Sequence, residues 1–273
     1  KRIAPAVMGL GYIAALNDQS ILNNADPNDA NGDGISGRPN YVDPTSFFSP
    51  ASIHIPSAGK YLGRFGKKAE KVTITDQVVF ALKQDIGITS DFDMQDLYNY
   101  NAGVNTGDEV PDPEVSASFV HSLVFYMRTL KAPPRRNEND ADVKAGEALF
   151  YQLGCTGCHV PTFTTDQSDI AALSNQTFHP YSDFLLHDMG PGLDDGYPEG
   201  GSNSYEWRTP PLWGLGLAKD SQGGLIFLLH DGRATSIEAA ISAHGGEAAA
   251  YKDAFFSLSQ KDREQVIKFL ESL

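Results

Sequence analysis

Cys155-Thr156-Gly157-Cys158-His159 is the stretch on which the reading of this chain turns. It holds both cysteines of the 273 residues and places a histidine directly after the second. A C-x-x-C-H run suits covalent attachment of a c-type haem. Two thiols add to the two vinyl groups of one porphyrin, and the adjacent His159 reaches the iron from the proximal side. The alternatives are a thioredoxin-like pair, a zinc site and a simple disulfide. A thioredoxin-like C-x-x-C opens a helix after a βαβ pattern, whereas residues 145–154 read as a helix ending at a glycine. A structural zinc site needs two more ligands at a second knuckle, and there is no third cysteine. A disulfide between Cys155 and Cys158 would close a very small loop.

Working outward, residues 142–153 predict an amphipathic helix leading into the motif. Val143, Phe150 and Leu153 are its core positions, with Phe150 and Leu153 expected to pack on the haem face. Downstream, Thr235 with Glu238 in capping-box position starts a helix that ends at Gly245. A last helix starts at Ser259, with Asp262 three residues on, and buries Val266, Phe269, Leu270 and Leu273. Helix, motif, long loops, final helix is the order of a cytochrome c domain. Pro133-Pro134-Arg135-Arg136 reads as a linker. The expected division is therefore a loop-rich, partly helical segment over 1–132 and a cytochrome c-like helical haem domain over 133–273. In the first segment, one helix is expected over 77–84, begun by Thr75 or Asp76. A longer one is expected from Asp112-Pro113, with Val115, Phe119, Leu123, Tyr126 and Leu130 as its apolar stripe. Alternating strand patterns are almost absent, so the fold class is mainly α.

Composition narrows the function classes. A net charge of −14 argues against nucleic acid and against anionic membrane surfaces. It is compatible with a basic, small redox protein as electron donor, or simply with a soluble acidic surface. No stretch approaches the roughly 20 apolar residues of a membrane span. The chain begins Lys1-Arg2-Ile3 without a signal peptide, which reads as a mature or trimmed product. Because c-type haem is attached outside the bacterial cytoplasm, a periplasmic or other extracytoplasmic location is expected.

Further motifs carry a resemblance. Glu206-Trp207-Arg208-Thr209-Pro210-Pro211-Leu212-Trp213 is followed by Leu229-His230-Asp231-Gly232-Arg233 and Ser236-Ile237-Glu238-Ala239-Ala240. This resembles a run shared by the bacterial di-haem cytochrome c peroxidases and MauG. With residues 32–38, 63–66, 185–190 and 244–248 added, the chain is most similar to the di-haem oxidoreductase family of peroxidase-like, "thiol oxidoreductase-like" proteins. The resemblance spans nearly the whole chain. It implies a haem redox role, with hydrogen peroxide as a candidate substrate. The "thiol" label carries little weight, because the only thiols would be bonded to haem. Family members usually carry a second C-x-x-C-H in an N-terminal domain, and this chain has none. The expectation is a piece of a di-haem protein whose N-terminal haem domain is missing. By position, His159 then belongs to the C-terminal, electron-storage haem. The alternative is a mono-haem electron carrier or sensor without peroxidase activity, and a third reading is a structural domain that has lost its haem.

A storage haem is closed on its distal side by Met or His. In the related peroxidases a methionine precedes H-D-G, but here that position is Leu229. Met189, in the Gly/Pro-rich loop 189–193, is the first distal candidate, and His230 the alternative. His187, His244 and His179 are also open to that role, although each histidine here serves equally well in holding a loop. Arg208 and Arg233 suit haem propionates or ion pairs with the acidic chain. Trp207 and Trp213 suit the haem crevice or ordinary packing. Asp29, Asn31 and Asp33, ahead of Gly34, match the first half of a calcium loop. The twelfth position is Asn40 rather than Glu, and Asx turns are the competing reading.

Overall fold

Short helices and two-residue ladders make up the N-terminal part of the chain. The computed structural model describes residues 1–101, 103–104 and 109–273. The helices α1 (Leu10–Ala14) and α2 (Asp18–Leu22) come first, followed by the antiparallel pair β1 (Tyr41–Val42) and β2 (Tyr61–Leu62). The carbonyls at the end of α1 have no partner inside so short a helix. Arg64 supplies one: its Nη1 donates to Ile13 O at 3.0 Å and Leu16 O at 2.6 Å. The same guanidinium pairs with Asp18, and both side chains are fully buried. Asp18 also accepts the Ile55 N–H at 2.6 Å. This buried charge is therefore paired and hydrogen-bonded, as a dry interior requires.

The helix α3 (Ile74–Ile86) is longer than expected, and its cap lies further upstream. Thr73 accepts the Asp76 N–H, and the Asp76 carboxylate accepts the Thr73 N–H. Asp76 is thus the reciprocal partner in a capping box rather than the cap. The next helix, α4 (Ala117–Thr129), starts at Ser116 and not at Asp112-Pro113. Residues before Ser116 are spent on tertiary pairing: Val115 N–H donates to Thr89 O, and Glu114 accepts the Thr89 N–H. The expected stripe is also corrected. Val120 is fully buried and Leu123, Val124 and Met127 pack beside it, while Phe119 and Tyr126 are exposed by half or more. The helix is apolar on several faces, so periodicity alone did not single out the one that meets α1 and α3.

The second half contains α5 (Ala141–Gln152), then β3 (Phe163–Thr164) paired with β4 (Thr177–Phe178), and β5 (Leu186–Asp188) paired with β6 (Glu206–Arg208). After these come α6 (Ala218–Ser221), α7 (Ile237–Ser242), α8 (Ala249–Ser257) and α9 (Gln260–Ser272). Asp140 caps α5 and Ser259 caps α9. The cap of α7 is Ser236, which accepts the Ala239 N–H, one residue beyond the expected Thr235. That helix stops at Ser242, short of Gly245. The fold is mainly helical, and its three ladders are all two-stranded among the described residues. No helix among the described residues is long and apolar enough to cross a membrane.

Two cores result. One gathers Ile13, Leu16, Ile21, Leu62, Val78 and Val120, together with Phe163, Phe178, Phe184, Leu185 and Trp213 from beyond residue 132. The other joins Val143, Phe150, Tyr181, Ile237, Phe255, Val266, Phe269 and Leu270. Its axis is the crossing of α5 over α9. A side chain at Gly146 would meet Gln265 O at 1.9 Å, so only glycine permits this approach. The Phe150 and Phe269 rings then lie 5.2 Å apart. Each such buried aromatic or aliphatic side chain contributes about 1.5–3 kcal/mol.

Candidate functional site

The C-x-x-C-H run begins where α5 ends. Gly154 takes a left-handed conformation, residues Cys155–Gly157 form one 3-10 turn, and the His159 N–H donates to Cys155 O at 3.0 Å. Both cysteines are free thiols. Burial pushes the Cys155 thiol up to about 12 and raises Cys158 as well. Neither is the low-pKa, exposed thiolate of a redox-exchange motif. His159 is neutral. Burial lowers its proton affinity to about 4, against the opposing effect of a hydrogen bond to Tyr181 O. Its Nδ1 lies 2.9 Å from that carbonyl, which can only accept, so Nδ1 carries the proton. The Nε2 lone pair is left without a hydrogen-bond partner among the described residues. A metal-bound histidine is held in this way, its far nitrogen tied to a carbonyl and its near nitrogen available. The residues present therefore fit a c-type haem. The Phe150 ring centroid lies 6.1 Å from that of His159, and Leu153 packs in the same core.

Directly beside this turn stands a second imidazole in the opposite state. His187 Nε2 donates to Asp183 at 2.7 Å, and its Nδ1 donates to Glu247 at 3.0 Å. Burial alone would lower its proton affinity, but Asp183, with hydrogen bonds to Cys158 and Glu247, holds it well above the ordinary value. Cys158 Sγ lies 3.5 Å from Nδ1. Burial would raise the Glu247 carboxyl. Hydrogen bonds from His187, Ser36 and the Asp188 N–H hold it down to about 2 instead. The Asp183 N–H donates to Cys158 O at 2.9 Å. The sequence reading missed this clamp of Asp183, His187, Glu247 and Ser36. Its signals were the i, i+4 spacing of Asp183 and His187 and the carboxylate of His244-Gly-Gly-Glu247.

The motif stretches of the sequence meet here. Arg38 bridges Leu186 of β5 through backbone hydrogen bonds of 2.8 Å in both directions and pairs with Glu206 of β6. Lys68, fully buried, donates to the carbonyls of Asn203, Ser204 and Glu206 at 2.8–3.0 Å. Its ammonium lies 3.8 Å from the centre of the Trp207 ring.

The other candidates have distinct places. Arg208 is buried and donates to Gly66 O at 2.9 Å and Thr209 O at 3.3 Å. Arg233 is half-exposed, paired with Asp231, and donates to Gly192 O at 2.7 Å. Trp213 packs in the first core against Phe178, their ring centroids 6.2 Å apart. His230 stacks on Trp207 at 3.8 Å, the rings 8° from parallel. His179 is exposed and bonded to Thr162. Met189 is partly buried, its N–H donating to Tyr205 O at 3.1 Å. His244 is partly buried, its Nδ1 2.8 Å from Ala240 O.

Asn31 and Asp33 of the candidate calcium loop each close an Asx turn, and Asp29 reaches across the loop. Asp29 accepts the Gly34 N–H, Asn31 accepts the Asp33 N–H, and Asp33 accepts the Ile35 N–H. Asp33 also accepts from the Asn31 side chain at 3.0 Å, and the described residues gather no group of three or more His, Cys, Asp or Glu fit for a metal ion.

Comparison with known proteins places the chain. It belongs to the di-haem oxidoreductase family: the family model described as "Di-haem oxidoreductase, putative peroxidase" matches residues 1–273. No curated protein matches the sequence. Among solved structures it is similar to hydrazine synthase from Kuenenia stuttgartiensis, determined under xenon pressure. That match has 20% identity and a TM-score of 0.37, and covers 58% of this chain and 56% of the other. The chain thus spans little more than half the length of that relative.

Proposed function

We propose that this member of the di-haem oxidoreductase family carries one c-type haem on Cys155, Cys158 and His159 and passes electrons through it. The observation that carries the reading is the 3-10 turn. It holds two free thiols beside a neutral imidazole whose Nδ1–H is fixed on Tyr181 O. When bound, the haem supplies one-electron iron redox chemistry. The chain's own residues anchor and orient it. Cys155 and Cys158 would tether the group through their thiols, and His159 would hold it through its open Nε2. Tyr181 O fixes the His159 tautomer, and Phe150 stands behind its ring. The charged His187 clamp ties the turn to β5 and to residue 36. Residues 133–273 then form a cytochrome c-like unit, and the haem is the electron-storage centre of a peroxidase-like protein. Its donor is a small basic redox protein, in keeping with the net charge of −14. The setting is periplasmic, where c-type haem is attached.

The test is expression with a c-type haem attachment system, followed by denaturing electrophoresis stained for haem and a pyridine haemochrome spectrum. Haem that stays with the chain and gives a two-thioether spectrum supports the reading. A haem-free chain with a Cys155–Cys158 disulfide would overturn it in favour of a structural domain.

A further inference from the structure

A haem held by His159 has a second axial position, and we infer that His244 fills it, so that the iron sits between two imidazoles. This rests on the haem reading above and names the side chain that closes the site. His244 follows α7 and presents its ring as His159 does. Its Nδ1 lies 2.8 Å from Ala240 O, as the Nδ1 of His159 lies 2.9 Å from Tyr181 O. A carbonyl only accepts, so both rings carry the proton on Nδ1 and keep the Nε2 lone pair for a metal. The Nε2 of neither has a hydrogen-bond partner among the described residues.

The segment holding His244 is pinned to the haem turn. Three residues on, Glu247 bonds His187 at 3.0 Å, and His187 reaches Cys158 at 3.5 Å. Backbone packing reinforces this, because a Cβ at Gly245 would stand 2.9 Å from Met189 O. The rival ligands are less suited. Both nitrogens of His187 are spent on carboxylates. His230 is stacked on Trp207, and His179 is exposed. Met189 lies next to the same segment and is the competitor that experiment must separate.

The experiment is electron paramagnetic resonance and visible spectroscopy of the ferric full chain and three variants, each loaded with haem. The unsubstituted protein is expected to show a low-spin bis-imidazole signal and no methionine–iron band. In His244→Ala the low-spin signal is lost to a high-spin one and returns on adding imidazole. His244→Met gains the methionine band and a higher reduction potential. Met189→Ala leaves the spectrum unchanged. A methionine–iron band in the unsubstituted protein, or conversion to high spin by Met189→Ala alone, overturns the assignment without touching the haem reading. Absence of covalent haem from the unsubstituted protein overturns both.

Discussion

His159 and His187 lie 28 residues apart in sequence, and His187 reaches the Sγ of Cys158, the neighbour of His159, at 3.5 Å, yet the chemistry of the two rings is opposite. His159 gives one nitrogen to a backbone carbonyl, is neutral, and keeps the other nitrogen free. His187 gives both nitrogens to carboxylates and is held charged. The partners, not the residue type, separate a neutral imidazole with an open nitrogen from a structural cation. One imidazole keeps a nitrogen open. The other already has all its bonds and braces the turn that carries the first.

The comparison breaks most sharply at the turn itself. Replacing Cys155 and Cys158 together by Ala is expected to abolish covalent haem completely. Haem staining after denaturation reads the result, and a band that persists would remove the attachment assignment. On the clamp side, Glu247→Gln leaves His187 with a buried charge short of one partner. Loss of one member of a buried pair costs about 3–5 kcal/mol. Urea unfolding of the haem-loaded chain measures it, and a change under about 1 kcal/mol would mean the clamp is not structural.

Phe269→Ala tests whether the α5–α9 crossing supports the turn independently of the clamp. A buried aromatic truncated to alanine costs about 3–5 kcal/mol, and the loss should add to that of Glu247→Gln. Strong non-additivity in the double variant would show that crossing and clamp form one unit.

Acid titration sharpens the contrast further. The Glu247 carboxyl is held down to about 2 in the fold. Its stabilisation is therefore present above the unfolded carboxyl range and lost as pH falls through that range toward about 2. The His187 contribution has the opposite sign. It is full below the unfolded histidine range and disappears as pH rises through its elevated folded value. Denaturation midpoints across pH should show a shallower acid limb in Glu247→Gln; an unchanged limb would place the acid-labile carboxylate elsewhere. The smallest effect is expected far from the site. Thr73→Ala removes the α3 cap and should cost about 1 kcal/mol without altering the haem spectrum. A spectral change there would mean that the first core and the haem turn are coupled.

The local chain settled what depends on near neighbours. The C-x-x-C-H spacing singled out Cys155, Cys158 and His159 as candidates for one site, and the structure gathers them in and just after one 3-10 turn. Ser259 as a cap, and Val266, Phe269 and Leu270 as a buried face, followed from helix periodicity and are found in α9. Local signals slipped where two solutions were close. Thr73 and Ser236 took the caps read onto Thr75 or Asp76 and Thr235. Val120 became the buried centre of a helix apolar on more than one face. The tertiary structure alone decided which histidine is which. His187 is charged because residues 183 and 247 converge on it. His244 is left with a free nitrogen because α7 ends beneath its ring and the following loop doubles back to Glu247. A proton's place on an imidazole is set by partners brought from distant parts of the chain, and spacing in one dimension carries no record of them.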